Sequence, residues 1–259
     1  MTHAAAFFDL DKTIIAKSST LAFGRPFYAN GLISRRAALK ATYAQLVYVI
    51  AGADADQMDR IRAETTALVA GWDVRQVRDI VRETLHEVVV PLVYAEAANL
   101  IEQHRAAGHQ IVVVSTSGAD IVGPIGELIG ADRVIATRLV ERDGRYTGDI
   151  EFYAYAEQKA TAIRALAAEH GWDLRQCHAY SDSATDLPML ETVGHPTAVN
   201  PDRALRRFAV ERDWPILTFS RTVPLRSRLR PSPALAGAAV GAGMAAAGLA
   251  WYATRRRRG

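Results

Sequence analysis

From residue 91 onward, short apolar runs alternate with stretches of helical periodicity along the chain. A short apolar run beside a helix-length segment is typical of a buried strand in a parallel sheet. Parallel strands joined by helices form right-handed βαβ units, which leaves few alternatives for the fold. The pattern therefore predicts an α/β fold with a parallel sheet. The predicted elements are a first strand at Ala4–Phe8, strands at 110–114, 133–136, 177–180, 197–199 and 216–219, and helices at 119–129, 157–170 and 202–211.

Residues 18–88, between the first strand and the alternating part, have a different pattern. Alanine and leucine recur at helical spacing, and glycines interrupt them. We predict about four helices and no strand here, which makes this segment a helical insertion. One more helix is expected over Pro91–Ala107, because proline is favoured in a first turn and Gly108 follows as a stop signal. Asp143-Gly144 predicts a hairpin turn.

The positive charge of the chain is concentrated at its end. The formal net charge is +3, but residues 221–259 contain eight arginines and no acidic residue, so residues 1–220 are net negative. A nucleic-acid-binding surface needs basic side chains interleaved with aromatic ones. Residues 1–220 show no such stripe, and we expect no nucleic-acid partner. The single cysteine, Cys177, excludes an internal disulfide, and the seven histidines show no metal-ligand spacing, so we interpret them as surface or packing residues.

The end of the chain predicts a membrane anchor. Residues 221–233 form a linker rich in proline and arginine, and residues 234–254 contain no charged side chain. This length suits a membrane-spanning helix. Alanine and glycine dominate the stretch, however, and a disordered basic tail or a helix at the membrane surface is the alternative. Because no secretory signal is present at the start, we expect a cytoplasmic N-terminal part, associated with a membrane through residues 234–259.

Charged and polar side chains follow the predicted strands, at the edge where a parallel sheet binds its ligands. Asp9 and Asp11 come directly after the first strand, and Asp182 follows another. Because isolated carboxylates are costly to bury, these three predict an all-oxygen site for a hard cation, with Mg²⁺ as the natural occupant. Ser115 adds a hydroxyl group and Lys159 a positive charge. A metal ion, a lysine and a hydroxyl donor together favour phosphoryl transfer.

Four segments of the chain resemble the four motifs of the haloacid dehalogenase superfamily. In order along the chain they are Phe7–Thr13, Val112–Ser115, Lys159 and Ser181–Asp186. The helical insertion resembles the cap of the phosphoserine-phosphatase-like subclass, subclass IB. The resemblance implies a Rossmann-like core formed by residues 1–15 and 91–220, with an α-helical cap domain, residues 16–90, inserted after the first strand. It also implies a Mg²⁺-dependent phosphomonoester hydrolase that forms an aspartyl-phosphate intermediate.

The resemblance implies a role for the acidic residues of the motifs. Asp9 is expected to be the nucleophile, and Asp11 is expected to be the general acid/base. Asp182 is expected to bind Mg²⁺ together with Asp9 and the main-chain carbonyl of Asp11. Asp186 is expected to support either Lys159 or the water molecules of the metal ion.

The remaining motif residues are expected to bind substrate or to order the site. Ser115, Thr116 and Lys159 are implied to bind the phosphoryl group. A serine at the start of a helix is also a common cap, and that role is compatible with phosphate binding at the same place. Thr13 is implied to order the first loop.

Several positions depart from the family pattern and bear on the substrate. Ser18 stands where phosphoserine phosphatases have an acidic residue that receives the substrate's amine. Thr116-Ser117 replaces a Gly-Gly pair, and Ser183 and Thr185 replace a glycine and an asparagine of the last motif. These changes leave the phosphate chemistry intact and argue against phosphoserine. We expect a small phosphorylated metabolite or a lipid phosphate, the second because of the hydrophobic tail.

Two other functions are compatible with parts of the sequence. A phosphotransferase would use the same intermediate and pass the phosphoryl group to an acceptor alcohol rather than to water. A non-catalytic, membrane-associated regulator would keep the fold without the chemistry. Such a regulator has no need for a nucleophile and an acid/base together, so the presence of Asp9 and Asp11 favours an enzyme.

Overall fold

The computed structural model describes residues 4–34 and 66–222 of the 259-residue chain. The chain divides into two units, residues 1–223 and residues 224–259. The second unit lies outside the described residues, and so do the predicted anchor at 234–254 and nearly all of the predicted linker. Among the described helices, none is both long enough and apolar enough to span a bilayer.

Seven strands form one sheet. They are β1 (Ala5–Asp9), β2 (Gln110–Gly118), β3 (Arg133–Arg142), β4 (Arg145–Phe152), β5 (His178–Ser181), β6 (His195–Val199) and β7 (Ile216–Leu217). Their order across the sheet is β4-β3-β2-β1-β5-β6-β7. Every neighbouring pair is parallel except β3 and β4, which are antiparallel. The predicted α/β fold with a parallel sheet is confirmed.

Helices cover both faces of the sheet and form the described part of the insertion after β1. The helices are α1 (Ser19–Ala22), α2 (Gly24–Ala29), α3 (Val74–Val89), α4 (Ala95–Ala106), α5 (Ala119–Ile129), α6 (Glu157–His170), α7 (Leu187–Glu191) and α8 (Arg203–Glu211). Residues 66–69 are also helical. The helices α5 and α6 have the predicted bounds, because local periodicity and glycine stops at both C-termini define them.

Alternate side chains of β1 belong to two separate hydrophobic cores. Phe8 packs on one face in a cluster that also contains Phe27 of α2 and Val77 of α3. Phe7 packs on the other face with Ile163 of α6. This division follows from the strand repeat of two residues, which sends successive side chains to opposite faces. The helices of the insertion therefore share a core with one face of the sheet.

β2 is longer than its apolar run predicts. The predicted strand ends at residue 114, whereas the observed strand continues to Gly118. Ser115 pairs with Ala136 and Gly118 pairs with Thr137, so two residues of β2 have no counterpart on β3. Such a bulge redirects side chains at the end of a strand. It lies at the carboxyl edge of the sheet, where the predicted site residues are.

The helix predicted from Pro91 begins four residues later, at Ala95. Pro91 lies instead in a 3-10 turn, Val90–Leu92. The backbone after this turn is engaged in tertiary hydrogen bonds, from Ala16 N–H to the Leu92 carbonyl at 2.8 Å and from Tyr94 N–H to the Ile14 carbonyl at 2.9 Å. These bonds to the loop after β1 hold Val93 and Tyr94 extended, and local sequence carries no signal for them.

Gly194, just before β6, packs directly against the backbone of Arg175, and this close contact can be tested. A Cβ atom at Gly194 would lie 1.9 Å from the Arg175 carbonyl oxygen, so Gly194→Ala forces the backbone apart. We expect a loss of about 1–3 kcal/mol in the free energy of unfolding, the usual cost of overpacking. The measurement is urea denaturation followed by circular dichroism.

The matched control is Gly123→Ala, within α5, where a Cβ atom has no neighbour within 4 Å. Alanine is favoured over glycine inside a helix by about 1 kcal/mol. The control is therefore expected to be neutral or stabilising. Equal stability of the two variants would contradict the close contact between Gly194 and the Arg175 carbonyl group.

Candidate active site

The site is built at the carboxyl edge of the sheet around β1. Asp9 is the last residue of β1, and it pairs in register with Val114 of β2, next to Ser115. On the other side β1 pairs with β5, whose last residue, Ser181, precedes Asp182. Because all three strands are parallel, their ends meet at one edge. Ligands of open α/β sheets bind at such an edge, where connections leave in opposite directions.

Lys159 is the buried cation at the centre of this site. Its side chain is 2% exposed, and its Nζ lies 2.8 Å from Asp9 Oδ1. The same Nζ lies 2.8 Å and 2.9 Å from the two carboxylate oxygens of Asp186. Burial alone would lower the pKa of Lys159, but the charges of Asp186 and Asp9 raise it above its ordinary value. Lys159 is therefore an ammonium ion that joins two carboxylates.

The start of α6 places Lys159 in this position. Ala156, the residue before the helix, has φ 47° and ψ −121°. This conformation is rare for a residue with a side chain and is found mainly where surrounding structure imposes it. Lys159 N–H donates to the Ala156 carbonyl at 3.0 Å, so the first turn follows directly from the strained residue. The strain lies three residues from the central cation of the site.

Among the described residues, Lys159 is the only cationic side chain that forms an ion pair with Asp186. The carboxylate is 3% exposed and accepts a hydrogen bond from Ser181 Oγ at 2.7 Å. The sequence left two roles open for Asp186, support of Lys159 or support of metal-bound water. The observed ion pair agrees with the first. Ser181 has no role in the sequence analysis, although it directly precedes Asp182.

The Asp9 carboxylate lies in a surplus of negative charge. It is 7% exposed, and burial raises its pKa well above the usual value, while the ammonium group of Lys159 lowers it. The charges of Asp186, Asp182 and Asp11 raise it further. Asp9 thus lies close to one lysine, Lys159, and to three other carboxylates. Such a set is stabilised by a further cation, and carboxylate oxygens are the ligands that hard divalent ions prefer.

Asp11 is held by serines from two distant segments. Its Oδ1 accepts the backbone N–H of Ser19 at 2.8 Å, and its Oδ2 accepts a hydrogen bond from Ser117 Oγ at 3.2 Å. Ser19 Oγ also donates to Ser117 Oγ at 2.8 Å. Burial raises the pKa of Asp11, and these hydrogen bonds oppose the rise. A carboxyl group with a raised pKa is suited to donating and accepting protons near neutral pH.

Ser19 and Ser117 were not predicted as partners of Asp11. Ser117 lies in the bulge of β2, and Ser19 is the first residue of α1 in the insertion. No local pattern joins them, since their contact spans 98 positions of the chain. In the sequence, only the position of Ser117, two residues after Ser115, indicated that Ser117 could lie at the site.

Asp182 is half-buried at the end of β5. Burial raises its pKa to about 7, Lys12 lowers it, and the charges of Asp186 and Asp202 raise it. Asp202 N–H donates to the Asp182 carbonyl at 2.8 Å, which fixes the backbone of this residue. Asp202 is a further residue that was not predicted from the sequence. A carboxylate whose ionisation is opposed in this way is stabilised by a bound cation.

Ser115 and Thr116 lie at the end of β2. Ser115 is 1% exposed, and its Oγ accepts the backbone N–H of Ser117 at 3.2 Å. The Thr116 hydroxyl donates to the Ala154 carbonyl at 2.9 Å, so this hydroxyl is already used within the fold. Thr137 Oγ1 in turn donates to the Thr116 carbonyl at 2.6 Å. The Thr116 side chain thus fastens the bulge to the segment before α6.

Thr13 lies in the loop after β1, as the sequence predicts. Its side chain is fully buried, and its hydroxyl has no hydrogen-bond partner among the described residues. The loop is closed instead by the Leu10 carbonyl, which accepts the N–H groups of Ile14 at 2.9 Å and Ile15 at 3.0 Å. Lys12, with φ 62°, makes the turn in this loop.

Comparisons with known proteins identify the family of this chain. A model of the haloacid dehalogenase-like hydrolase family matches residues 6–191. A Streptomyces azureus protein named "inhibition of morphological differentiation protein" is 61% identical over 264 residues, which cover 99% of this chain and 95% of that protein. A "probable phosphatase" of Mycobacterium tuberculosis is 59% identical over 259 residues, which cover 98% of this chain and 90% of that protein.

Two further matches are more distant. A histidinol-phosphatase of Neisseria meningitidis is 32% identical over 219 residues, which cover 83% of this chain and 98% of that protein. A crystal structure of a Bordetella pertussis protein of unknown function superposes with a TM-score of 0.73 at 28% identity, covering 84% of this chain and 99% of that one.

The chain belongs to the haloacid dehalogenase-like hydrolase family. The resemblance stated from the four motifs is confirmed, and so is the prediction of an enzyme, a phosphatase of this family.

The raised pKa of Asp182 leads to a prediction about stability in the absence of metal ions. Its pKa is about 7 when folded and about 4 in an unfolded chain. Between these pH values the folded protein binds more protons than the unfolded chain does. Ionisation of Asp182 therefore destabilises the folded protein as the pH rises. We expect the stability of Asp182→Asn relative to the wild type to increase between about pH 5 and pH 8.

The measurement is the unfolding midpoint of both proteins across this pH range in a chelating buffer. Asp79→Asn, at an exposed position of α3, is the control for the loss of a carboxylate outside the site. A pH-independent difference between Asp182→Asn and the wild type would contradict the electrostatic description of the site.

Proposed function

We propose that this chain is a Mg²⁺-dependent phosphomonoester hydrolase that forms an aspartyl-phosphate on Asp9. The observation that carries the proposal is the buried ion pair of Lys159 with Asp9, beside two further carboxylates and the serines that hold Asp11. A buried nucleophile, a fixed cation and a carboxyl group with a raised pKa are the groups that stepwise phosphoryl transfer requires.

Asp9 acts as the nucleophile through its second carboxylate oxygen. Lys159 holds Oδ1 at 2.8 Å, which orients Oδ2 as the attacking atom. A bond forms between Oδ2 and phosphorus, and the bond from phosphorus to the substrate oxygen breaks. The electron pair of that bond stays on the leaving oxygen. Lys159 balances the negative charge of the phosphoryl group during transfer.

Asp11 moves the protons in both halves of the reaction. In its protonated form it gives a proton to the leaving oxygen, which departs as an alcohol. The resulting carboxylate then takes a proton from the water that attacks phosphorus. Cleavage of the bond between Asp9 Oδ2 and phosphorus releases phosphate and restores both side chains. The hydrogen bonds from Ser19 and Ser117 keep the Asp11 carboxyl group in one orientation for the two transfers.

Asp9, Asp182 and the main-chain carbonyl of Asp11 would hold the metal ion. All three offer oxygen ligands, and the surplus of carboxylates over lysine at this edge fits a hard divalent cation such as Mg²⁺. When bound, Mg²⁺ offsets the charge of the phosphoryl oxygens and of the attacking carboxylate. Asp186 acts as a positioning residue, since it holds Lys159 at 2.8 Å.

The phosphoryl group is bound by Ser115, Thr116 and Lys159. Ser115 lies four residues before α5 begins at Ala119. Backbone N–H groups of this segment therefore bind the phosphoryl group together with the Ser115 hydroxyl. Because the Thr116 hydroxyl already binds Ala154, Thr116 contributes through its backbone N–H. The bulge of β2 turns this short segment toward the site.

Residues 16–90 act as a cap on this site. Ser19, at the start of α1, supplies the N–H that binds Asp11, so the insertion contacts the acid/base directly. Closure of such a cap excludes bulk water and leaves the one water that attacks the intermediate. The cap bounds, residues 16–90, stay a prediction from the sequence, and residues 35–65 lie outside the described part of the chain.

The substrate is a small phosphorylated metabolite. A relative named histidinol-phosphatase supports a small phosphomonoester. Ser18 offers no charge to a substrate amine, which argues against phosphoserine. A lipid phosphate is the second candidate. It depends on residues 234–254, whose predicted attachment to a membrane remains a prediction from the sequence.

Substitution of the two aspartates tests the reaction. With an aryl phosphate and Mg²⁺, Asp9→Asn is expected to reduce phosphate release to background, because the amide cannot form the intermediate. Asp11→Asn is expected to lower the rate by about 10²–10⁴-fold, the usual contribution of general acid–base catalysis. The measurement is phosphate release with Mg²⁺ and with a chelator.

Asp79→Asn serves as the control and should keep wild-type activity. Equal phosphate release by the wild type, Asp9→Asn and Asp11→Asn would overturn the assignment. Release of the aryl alcohol that requires an added acceptor alcohol, without release of phosphate, would indicate a phosphotransferase instead.

A substrate panel tests the predicted class. The full chain is assayed with histidinol phosphate, phosphoserine, other small phosphomonoesters and a short-chain lipid phosphate. For a small phosphomonoester other than phosphoserine, we expect kcat/KM to be at least about tenfold higher than for phosphoserine or the lipid phosphate. This ratio corresponds to a preference of about 1.4 kcal/mol. Preference for the lipid phosphate would support the membrane-linked alternative, and preference for phosphoserine would contradict the role of Ser18.

A further inference from the structure

Three histidines from separate segments meet at the amino-terminal end of the sheet. His104 is in α4, His109 precedes β2, and His178 is the first residue of β5. Each ring offers one nitrogen, and these nitrogens all lie within 4.8 Å of one another. Asp9 ends β1 and Asp182 follows β5, whereas this group lies at strand starts, so the two sites are at opposite edges of the sheet. The spacing along the chain did not indicate this group.

The nitrogens are close to the separation required for ligands of one metal ion. His104 Nδ1 and His109 Nδ1 lie 2.8 Å apart and face one another. Two imidazole nitrogens bound to one tetrahedral Zn²⁺ at about 2.0–2.1 Å are separated by about 3.3 Å. A shift of about half an ångström would therefore convert the contact into a pair of ligands. The ring of His178 completes the group, with its centroid 4.6 Å from that of His104.

A tyrosine orients the buried member of the group. The Nε2 atom of His104 lies 2.8 Å from Tyr180 Oη, so its other ring nitrogen, Nδ1, is the one directed at His109. Metal-binding histidines nearly always have such a polar partner on the second nitrogen, which fixes the tautomer and the ring plane. Tyr180 is itself held by stacking on Phe8, with ring centroids 4.6 Å apart.

The group is accessible from solvent and its rings are in the form that binds metals. His104 is buried, His109 and His178 are half-buried, and the exposed His195 stacks on His178 at 4.5 Å. Burial lowers the pKa of His104 and of His178 to about 4, and lowers that of His109. The imidazoles are therefore neutral at physiological pH, as a metal ligand must be.

We propose that His104, His109 and His178 form a binding site for Zn²⁺ or a related late first-row transition ion. Neutral imidazole nitrogens favour such ions over Mg²⁺, which prefers oxygen ligands. Three protein ligands leave the fourth tetrahedral position to water. The ion would join α4, the loop before β2 and the start of β5, and so stabilise the end of the sheet opposite the active site.

Metal titration of the untagged full-length protein tests the proposal. The probes are Co²⁺, whose visible absorption reports four-coordinate binding, and Zn²⁺, followed by calorimetry in excess Mg²⁺ so that the oxygen site is filled. We expect binding of one ion at this site and a higher unfolding midpoint with Zn²⁺. His109→Gln and His178→Gln should each abolish the Co²⁺ absorption. Tyr180→Phe should weaken Zn²⁺ binding by about 10–100-fold.

Two controls separate this site from others. His86→Gln, an exposed histidine of α3, and Asp182→Asn, at the active site, should both keep the Co²⁺ absorption. Circular dichroism establishes that the histidine variants are folded, and either of them suffices for the test. Absence of Co²⁺ absorption and of Zn²⁺ heat in the wild type would overturn the proposal. So would a signal that is lost in Asp182→Asn and kept in His109→Gln.

Discussion

The ion pair of Lys159 with Asp9 and Asp186 is the interaction on which the rest of the site depends. Removing one ammonium group and two carboxylates from water costs several kcal/mol for each ion, and only close pairing offsets this cost. The observed distances of 2.8 Å to both carboxylates meet that requirement. Asp9 and Lys159 are 150 positions apart, so the pair can form only when β1, α6 and the segment after β5 are all in place.

The sheet provides this arrangement because its central strands are parallel. Their carboxyl ends lie at one edge, and Asp9, Ser115 and Asp182 all lie at this edge. Two local departures from regular structure refine the geometry, the bulge of β2 and the strained backbone of Ala156. Both lie beside the site. Strained backbone is commonly retained at functional sites.

The two ends of the sheet offer different chemistry to metal ions. The carboxyl end presents carboxylate oxygens with a surplus of negative charge, which suits a hard ion. The amino end presents neutral imidazoles, which suit a borderline ion. Tyr180 and Phe8 lie between them, since Tyr180 contacts His104 and stacks on Phe8, the neighbour of Asp9. An ion bound at the amino end would therefore stiffen the strands that carry the nucleophile.

The sequence alone determined the α/β class and the bounds of helices such as Glu157–His170, because periodicity is a local property of the chain. Its motifs also predicted acidic and basic residues, Asp9, Lys159 and Asp186 among them, that the structure brings together. The start of α4 at Ala95, the bulge of β2 and the serines around Asp11 were decided by tertiary structure. The same holds for the histidine group, whose members come from three segments. Each depends on contacts between residues far apart in the chain, and such contacts arise only when the strands pair and the helices pack.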